Sequence, residues 1–147
     1  MASILVIDDD HLVRDTLSIM LTEAGHTVVT AKDGIEGVKK ALRGGFDVAV
    51  IDIFMPEREG LETIRELRRR PGTPAIVAIT GGTPLQIHRP QDRVLDYLQV
   101  AADLGAAATI RKPFTQAQLL AAVDKALASA AAYPLYREAG EGRGEGA

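Results

Sequence analysis

The stretch "ILVIDDDHLV", residues 4–13, runs four branched aliphatic side chains directly into three adjacent carboxylates, Asp8, Asp9 and Asp10. A nearly continuous run of such side chains is typical of a strand that is buried on both faces of a parallel sheet. Adjacent carboxylates repel one another unless a cation or a proton offsets their charge. The stretch therefore predicts a buried strand whose carboxyl end carries a charged site.

Four further strand-sized apolar runs follow this one and alternate with segments of helical periodicity. The runs are residues 27–31, 48–51, 75–79 and 107–110. The intervening segments repeat apolar residues every three or four positions, as amphipathic helices do. Five strand–helix units in series predict an α/β fold, a doubly wound parallel sheet with helices on both faces. In such a sheet the carboxyl ends of the strands converge at one edge.

Local signals predict where three of the helices begin. Asp10 is placed to cap the N-terminus of the first helix. Asp33, with Glu36 three residues later, opens the second helix. Thr115 and Gln118 have the spacing of a capping box and open the fifth.

The regular pattern covers most, but not all, of the chain. A fourth helix is predicted over about residues 92–104, and the apolar periodicity stops after about residue 132. Residues 133–147 are rich in Gly and Glu and contain no core-forming run. We therefore expect one domain over residues 1–132, followed by a flexible tail or truncated linker over residues 133–147.

The composition limits the kinds of function open to the chain. Its 147 residues favour a single domain, and the absence of cysteine excludes disulfides and thiolate metal sites. Seventeen basic against 20 acidic residues give a net charge of −3, so no broad positive field is available for nucleic acid. The apolar runs are far shorter than the ~20 residues that span a bilayer, and no signal peptide is visible. We expect a cytoplasmic protein without direct nucleic-acid or membrane partners.

Polar residues stand where four of the five predicted strands end. They are Asp8 with Asp9, Asp52, Thr80 and Lys112. Clustered carboxylates without histidine or cysteine favour Mg²⁺, with Mn²⁺ as the alternative. An added ammonium and hydroxyl suit the oxygens of a tetrahedral anion. One carboxylate is then placed to attack phosphorus and form an aspartyl phosphate.

Four motifs in this order resemble those of the receiver domain of two-component response regulators. They are "VIDDD", "DIFMP", "AIT" and "RKPF", and the resemblance covers about residues 3–130. It implies a flavodoxin-like (βα)5 sheet of strand order 2-1-3-4-5. It also implies that Asp52 is the phosphoacceptor, that Lys112 binds a phosphoryl oxygen and that Thr80 is a switch hydroxyl.

The same resemblance implies a metal site and partners. Asp8, Asp9 and Asp52 would bind Mg²⁺ together with the backbone carbonyl of Phe54, and the Lys112–Pro113 bond would be cis. The phosphoryl donor would be phosphohistidine on a sensor histidine kinase or a histidine phosphotransfer protein. The chain would be a signalling phosphoacceptor rather than an enzyme, acting on a downstream effector, and a phosphorylation-dependent dimer is a further candidate assembly.

Two features depart from the family pattern. Thr109 stands where the family usually has an aromatic switch residue, three positions before the lysine. The segment between Thr80 and Lys112 is longer than is common, and its surplus lies in "GGTPLQIHRPQ", residues 81–91. We hypothesise that this loop carries the signal, with a tolerated surface insertion as the alternative.

The residues flanking the acceptor also bear on how long a phosphoryl group lasts. Phe54 and Gly82 offer no side chain that could orient an attacking water molecule. We therefore predict a long-lived phosphoryl group.

An enzyme remains the principal alternative. The same "IDDDHL" fits a haloacid dehalogenase-like phosphohydrolase, with Asp8 as nucleophile and Asp10 as general acid. That family needs further carboxylates after the lysine, whereas the first acid after Lys112 is Asp124, in the middle of a predicted helix. It also leaves Asp52 without a role. A flavin or dinucleotide module is disfavoured because no G-x-G-x-x-G or phosphate loop follows the first strand.

Overall fold

The computed structural model describes residues 1–53, 59–80 and 97–132. Within them the chain forms a five-stranded, all-parallel sheet of order β2-β1-β3-β4-β5. The strands are β1 (Ser3–Ile7), β2 (Thr27–Ala31), β3 (Val48–Asp52), β4 (Ala75–Thr80) and β5 (Ala108–Arg111). The helices are α1 (His11–Glu23), α2 (Gly34–Leu42), α3 (Glu59–Arg68), α4 (Tyr97–Asp103) and α5 (Gln116–Ala132). The predicted fold class and strand order are confirmed.

Alternate residues of the central strands enter two separate cores. Ile4 and Val6 of β1 pack with residues of α1 and α5, whereas Leu5 and Ile7 pack with residues of α2, α3 and α4. All four side chains are fully buried. Burial of each contributes about 1.5–3 kcal/mol, and it explains why these strands read as continuous apolar runs.

The predicted helix starts are present as hydrogen-bonded caps. Asp10 Oδ1 accepts a hydrogen bond from Leu12 N at 2.9 Å, and Asp33 Oδ1 accepts one from Glu36 N at 2.8 Å. Thr115 and Gln118 bond reciprocally between side chain and backbone, at 2.9 and 3.0 Å. These bonds satisfy amide groups that the first turn of a helix leaves without partners. Asp10 is therefore the N-cap of α1, as predicted.

Some predicted segments extend past the described residues. The described part of the fourth helix is Tyr97–Asp103, and residues 92–96 of the predicted helix lie outside. The loop at residues 81–91 and the tail at 133–147 also lie outside the described residues. None of the helices in the described part of the chain is both long and apolar enough to cross a membrane.

Strand register brings the predicted site residues to one edge of the sheet. Ile7 pairs with Ile51, and Asp52 pairs with Ile79. Thr80 pairs with Arg111, one residue before Lys112. The residues that end β1, β3, β4 and β5 therefore lie side by side at the carboxyl edge.

Candidate functional site

Three carboxylates meet at the carboxyl edge of the sheet. Asp8, Asp9 and Asp52 each place an oxygen so that all three lie within 4.8 Å of one another. They come together because β1 and β3 are neighbours and end at the same level. Asp8 is 0% exposed and Asp52 is 5% exposed, whereas Asp9 is exposed. The predicted carboxylate cluster is thus present, with two of its members buried.

Asp8 is held in place by its surroundings but is incompletely satisfied. Its backbone N–H donates to Ala31 O at 3.2 Å, and its Oδ1 accepts a hydrogen bond from Asp10 N at 2.9 Å. Its Oδ2 is buried and has no hydrogen-bond partner among the described residues. A buried carboxylate oxygen without a partner is costly, and a cation bound at the cluster would stabilise it.

The protonation of Asp8 reflects the same environment. Burial raises the pKa of Asp8 to about 7; the hydrogen bond from Asp10 N–H opposes this rise, and the charge of Asp52 adds to it. A cation bound among the carboxylates would take the place of the proton that this pKa favours.

The donor set of the cluster fits a hard divalent cation. Carboxylate oxygens are the ligands that Mg²⁺ and Mn²⁺ prefer. Positive charge at this point is favoured by the close approach of three carboxylates and by Asp8 Oδ2, which has no hydrogen-bond partner in the part of the chain that the structure describes. The further ligand expected at Phe54 lies outside the described residues.

Lys112 brings an ammonium group to Asp52. Its Nζ lies 3.4 Å from Asp52 Oδ2, and its side chain is 28% exposed. The backbone N–H of Lys112 donates to Thr80 O at 2.9 Å, which fixes this residue to the end of β4. The Lys112–Pro113 peptide bond is cis, as predicted. The side of the cluster next to Asp52 therefore carries a positive charge that remains accessible to a ligand.

The two residues at the family's switch positions, Thr80 and Thr109, share one face of the sheet. Thr80 is 3% exposed and follows Ile79, which packs in the core that β1 forms with α1 and α5 (the α1/α5 core). Because side chains alternate along a strand, Thr80 lies on the opposite face of the sheet. Thr109 lies between Ala108 and Ile110, which pack with the α1/α5 core, and so has the same orientation as Thr80. The structure brings the two residues to the face that α4 covers.

Arg14 and Gly60 also contact the site, although sequence reasoning did not identify them. Arg14 Nη1 donates to the backbone carbonyl of Asp8 at 2.6 Å. Arg14 lies one turn after the N-cap Asp10, and helical side chains lean toward the N-terminus of the helix. Its position in the sequence was therefore a sign that its side chain could reach the end of β1. Gly60 packs against the backbone of Asp52 and Ile53. A glycine in the first turn of a helix was the sequence feature that could have indicated this close backbone contact.

Comparison with known proteins agrees with this geometry. Residues 4–124 match the family described as the response regulator receiver domain. The CpxR homolog of Haemophilus influenzae, a transcriptional regulatory protein, is 31% identical over 134 residues, 91% of this chain and 53% of that protein. The response regulator MprA of Mycobacterium ulcerans is 35% identical over 118 residues, 80% of this chain and 47% of that protein. The chain thus spans about half the length of these relatives.

Solved structures give the same result. A response regulator receiver domain protein from Clostridium thermocellum superposes with a TM-score of 0.76 at 28% identity, covering 90% of this chain and 98% of that one. A CheY-like receiver domain protein from Methanospirillum hungatei gives a TM-score of 0.72 at 28% identity, with 88% and 95% covered. The phosphohydrolase alternative receives no support from these matches.

Proposed function

The chain belongs to the response regulator receiver family, and we propose that it accepts a phosphoryl group from phosphohistidine onto Asp52 and signals through the phosphorylated state. One observation carries the proposal. The Asp52 carboxylate lies 3.4 Å from the Lys112 ammonium and has an oxygen of each of two further carboxylates within 4.8 Å. The site therefore places three groups side by side. They are the proposed acceptor oxygen of Asp52, an ammonium that can pair with the transferred group, and two carboxylates that can bind a metal ion.

Asp52 is better suited than Asp8 to be the nucleophile. Asp8 is fully buried, and burial raises its pKa to about 7, so near neutral pH about half of its population carries a proton when no cation is bound. Lys112 approaches Asp52 instead, beside the oxygen that would receive the phosphoryl group. This arrangement favours the receiver assignment over a phosphohydrolase with Asp8 as nucleophile.

The proposed reaction is an in-line displacement. An oxygen of Asp52 attacks phosphorus, the new P–O bond forms as the P–N bond breaks, and the electron pair stays with the donor imidazole. Lys112 pairs with an oxygen of the transferring group and offsets its charge. Asp8, Asp9 and Asp52 would hold Mg²⁺, with Phe54 as a proposed further ligand. The bound cation supplies charge neutralisation for the phosphoryl oxygens.

The proposed response begins at Thr80. Its hydroxyl would bond the phosphoryl group and shift a pre-existing equilibrium of the α4 face. Because Thr109 replaces the usual aromatic residue, we propose that the loop at residues 81–91 carries the change. We also propose a long-lived phosphoryl group, since neither Phe54 nor Gly82 offers a polar side chain for water.

The proposed partners follow from the family. The donor is a sensor histidine kinase or a histidine phosphotransfer protein, and a downstream effector reads the phosphorylated state, with a phosphorylation-dependent dimer as one form of output. The CpxR relatives are named as transcriptional regulatory proteins, and that activity belongs to proteins about twice as long. Hydrolysis of the acyl phosphate resets the protein, so the role is signalling rather than metabolic turnover.

Acetyl phosphate labelling followed by intact mass spectrometry tests the proposal. With Mg²⁺, the wild type should gain the mass of one phosphoryl group, and Asp52→Asn should gain none. Asp10→Asn is the matched control, because Asn also caps helices well and residue 10 is not assigned to the site. Labelling that survives in Asp52→Asn, or multiple turnover of a small phosphomonoester, would contradict the proposal.

A further inference from the structure

The first turn of α3 lies directly against the end of β3. Gly60 is buried, and a Cβ atom added to it would overlap Ile53 Cα and the carbonyl oxygen of Asp52. The same atom would come within 2.9 Å of the carbonyl carbon of Ile53. All three obstacles are backbone atoms, which cannot rotate away as the tip of a side chain can. The contact therefore requires glycine at position 60.

The backbone that Gly60 touches is the one that carries the proposed phosphoacceptor. On its other side, this strand end is held by β4, because Ile53 N donates to Ile79 O at 2.8 Å. The peptide of Asp52 and Ile53 is thus confined between β4 and the backbone of α3. The distances from Asp52 to Lys112 and to the other carboxylates depend on where this peptide lies.

We propose that Gly60 is a positioning residue for Asp52, allowing α3 to hold the acceptor strand end at the place the reaction needs. The inference rests on the proposed phosphoacceptor role. A methyl group at position 60 must displace either α3 or the Asp52 backbone, since neither can yield locally. A misplacement of about 1 Å at a reacting group can slow a reaction roughly hundredfold.

Gly37 offers a matched control. It is also a buried helical glycine, in α2, and it also contacts a residue next to the site, since Ile7 precedes Asp8. The three atoms nearest to a Cβ atom there all belong to the side chain of Ile7, with Cγ1 at 2.8 Å. The two glycines thus differ in what an added methyl group would displace, a side chain in one case and the acceptor backbone in the other.

The test compares the wild type, Gly60→Ala and Gly37→Ala, each as the whole chain. Acetyl phosphate labelling at saturating Mg²⁺ gives the rate, and a Mg²⁺ titration gives the affinity. We expect Gly60→Ala to label roughly ten- to a hundredfold more slowly than the wild type and to bind Mg²⁺ more weakly. Gly37→Ala should lose stability through overpacking, yet per folded molecule it should stay within about twofold of the wild type in both measurements, because the atoms nearest to its added methyl group belong to a side chain.

A further variant separates positioning from a general loss of stability. Ile64→Ala removes a fully buried side chain of α3 and loosens the helix without pushing on β3. We expect Ile64→Ala to lower the unfolding midpoint yet label, per folded molecule, at nearly the wild-type rate. If Gly60→Ala is partly unfolded, trimethylamine oxide restores the folded fraction, and the rate is again expressed per folded molecule.

The outcomes distinguish this inference from the proposed function. Labelling of Gly60→Ala within twofold of the wild type, or equal slowing in Ile64→Ala or Gly37→Ala, would overturn the role of Gly60 alone. Failure of the wild type to label would instead contradict the phosphoacceptor role. In that event the relative Mg²⁺ affinities of Gly60→Ala and Gly37→Ala still decide whether Gly60 positions the Asp52 carboxylate.

Discussion

The two edges of the sheet hold polar groups under opposite conditions. At the amino edge, the N–H of Ser3 donates to Asp47 Oδ2 at 2.9 Å, and that of Ala2 donates to His26 Nδ1 at 3.0 Å. At the carboxyl edge, three carboxylates crowd within 4.8 Å, and Asp8 Oδ2 has no partner among the described residues. At the amino edge these polar groups find partners within the fold, whereas at the carboxyl edge a buried carboxylate oxygen finds none among the described residues.

Asp47 and Asp52 show the difference within one strand. Asp47 precedes β3 and Asp52 ends it, so the two carboxylates belong to the same backbone. The carboxylate of Asp47 accepts a hydrogen bond from the backbone N–H of Ser3. The backbone N–H of Asp47 in turn donates to Ser3 O at 2.8 Å. Asp52 faces an ammonium and two other acids. Residue type alone does not separate a structural carboxylate from a proposed phosphoacceptor; the partners that the fold supplies do.

The largest expected effect is on the rate of phosphorylation. Lys112→Ala should slow labelling by acetyl phosphate at saturating Mg²⁺ by about 10²–10³-fold, because it removes the ammonium beside Asp52. Intact mass against time gives the rate. Lys125→Ala, an exposed residue of α5, is the control and should label at the wild-type rate. A Lys112→Ala rate within threefold of the wild type would mean that the charged side of the cluster is not the reactive side.

The metal-free protein should lose stability as the pH rises from about 4 to about 7. Burial raises the pKa of Asp8 from 3.8 to about 7, so over this range the folded state holds a proton that the unfolded state has released. The free energy of unfolding therefore falls with increasing pH, by a few kcal/mol in all. Urea titrations in a chelator at several pH values measure this loss.

Two substitutions check that the pH effect belongs to the carboxyl edge. Asp8→Asn should flatten the dependence of stability on pH, because the titrating group is gone. Asp47→Asn, at the amino edge, should retain the slope even if its overall stability is lower. A slope that persists in Asp8→Asn would assign the effect to another group.

Adding Mg²⁺ near neutral pH should stabilise the protein. Binding to the folded state alone at a hundred times the dissociation constant contributes about 2.7 kcal/mol, and a chelator should remove it. Asp8→Asn should lose most of this increment, whereas Asp47→Asn should keep it. Thermal unfolding with and without Mg²⁺ provides the measurement. An equal increase in stability in the two variants would contradict the assignment of Mg²⁺ binding to the carboxyl edge.

The smallest effect is expected at the third aspartate of the opening stretch. Asp10→Ala should cost about 1 kcal/mol of stability, because the side chain accepts a hydrogen bond from Leu12 N as the cap of α1. Its Mg²⁺ affinity should stay within twofold of the wild type, and Asp10→Asn should restore stability. A large loss of Mg²⁺ affinity in Asp10→Ala would extend the metal site to all three aspartates.

Much of the fold could be predicted because its determinants are local. The continuous aliphatic run that ends at Ile7 predicts a strand buried on both faces, and both cores do receive its side chains. The caps at Asp33 and Thr115 depend only on residues three positions away. The cluster itself could be predicted because parallel strands all end at one edge.

The contacts that the sequence did not reveal join residues far apart along the chain or depend on close packing. Nothing in the order of residues distinguishes Asp8, fully buried, from its exposed neighbour Asp9. The hydrogen bond from Arg14 to the Asp8 carbonyl depends on the orientation of α1 relative to the end of β1.

The sequence by itself determined the order of strands and helices, the caps and the set of polar residues at the strand ends, because each depends on a few neighbouring residues. The tertiary structure alone decided which carboxylate is buried, which one lies beside the Lys112 ammonium and which glycine packs against the backbone of Asp52. These outcomes depend on how packed elements approach one another in three dimensions, and at close-packed density even a single methyl group changes that approach.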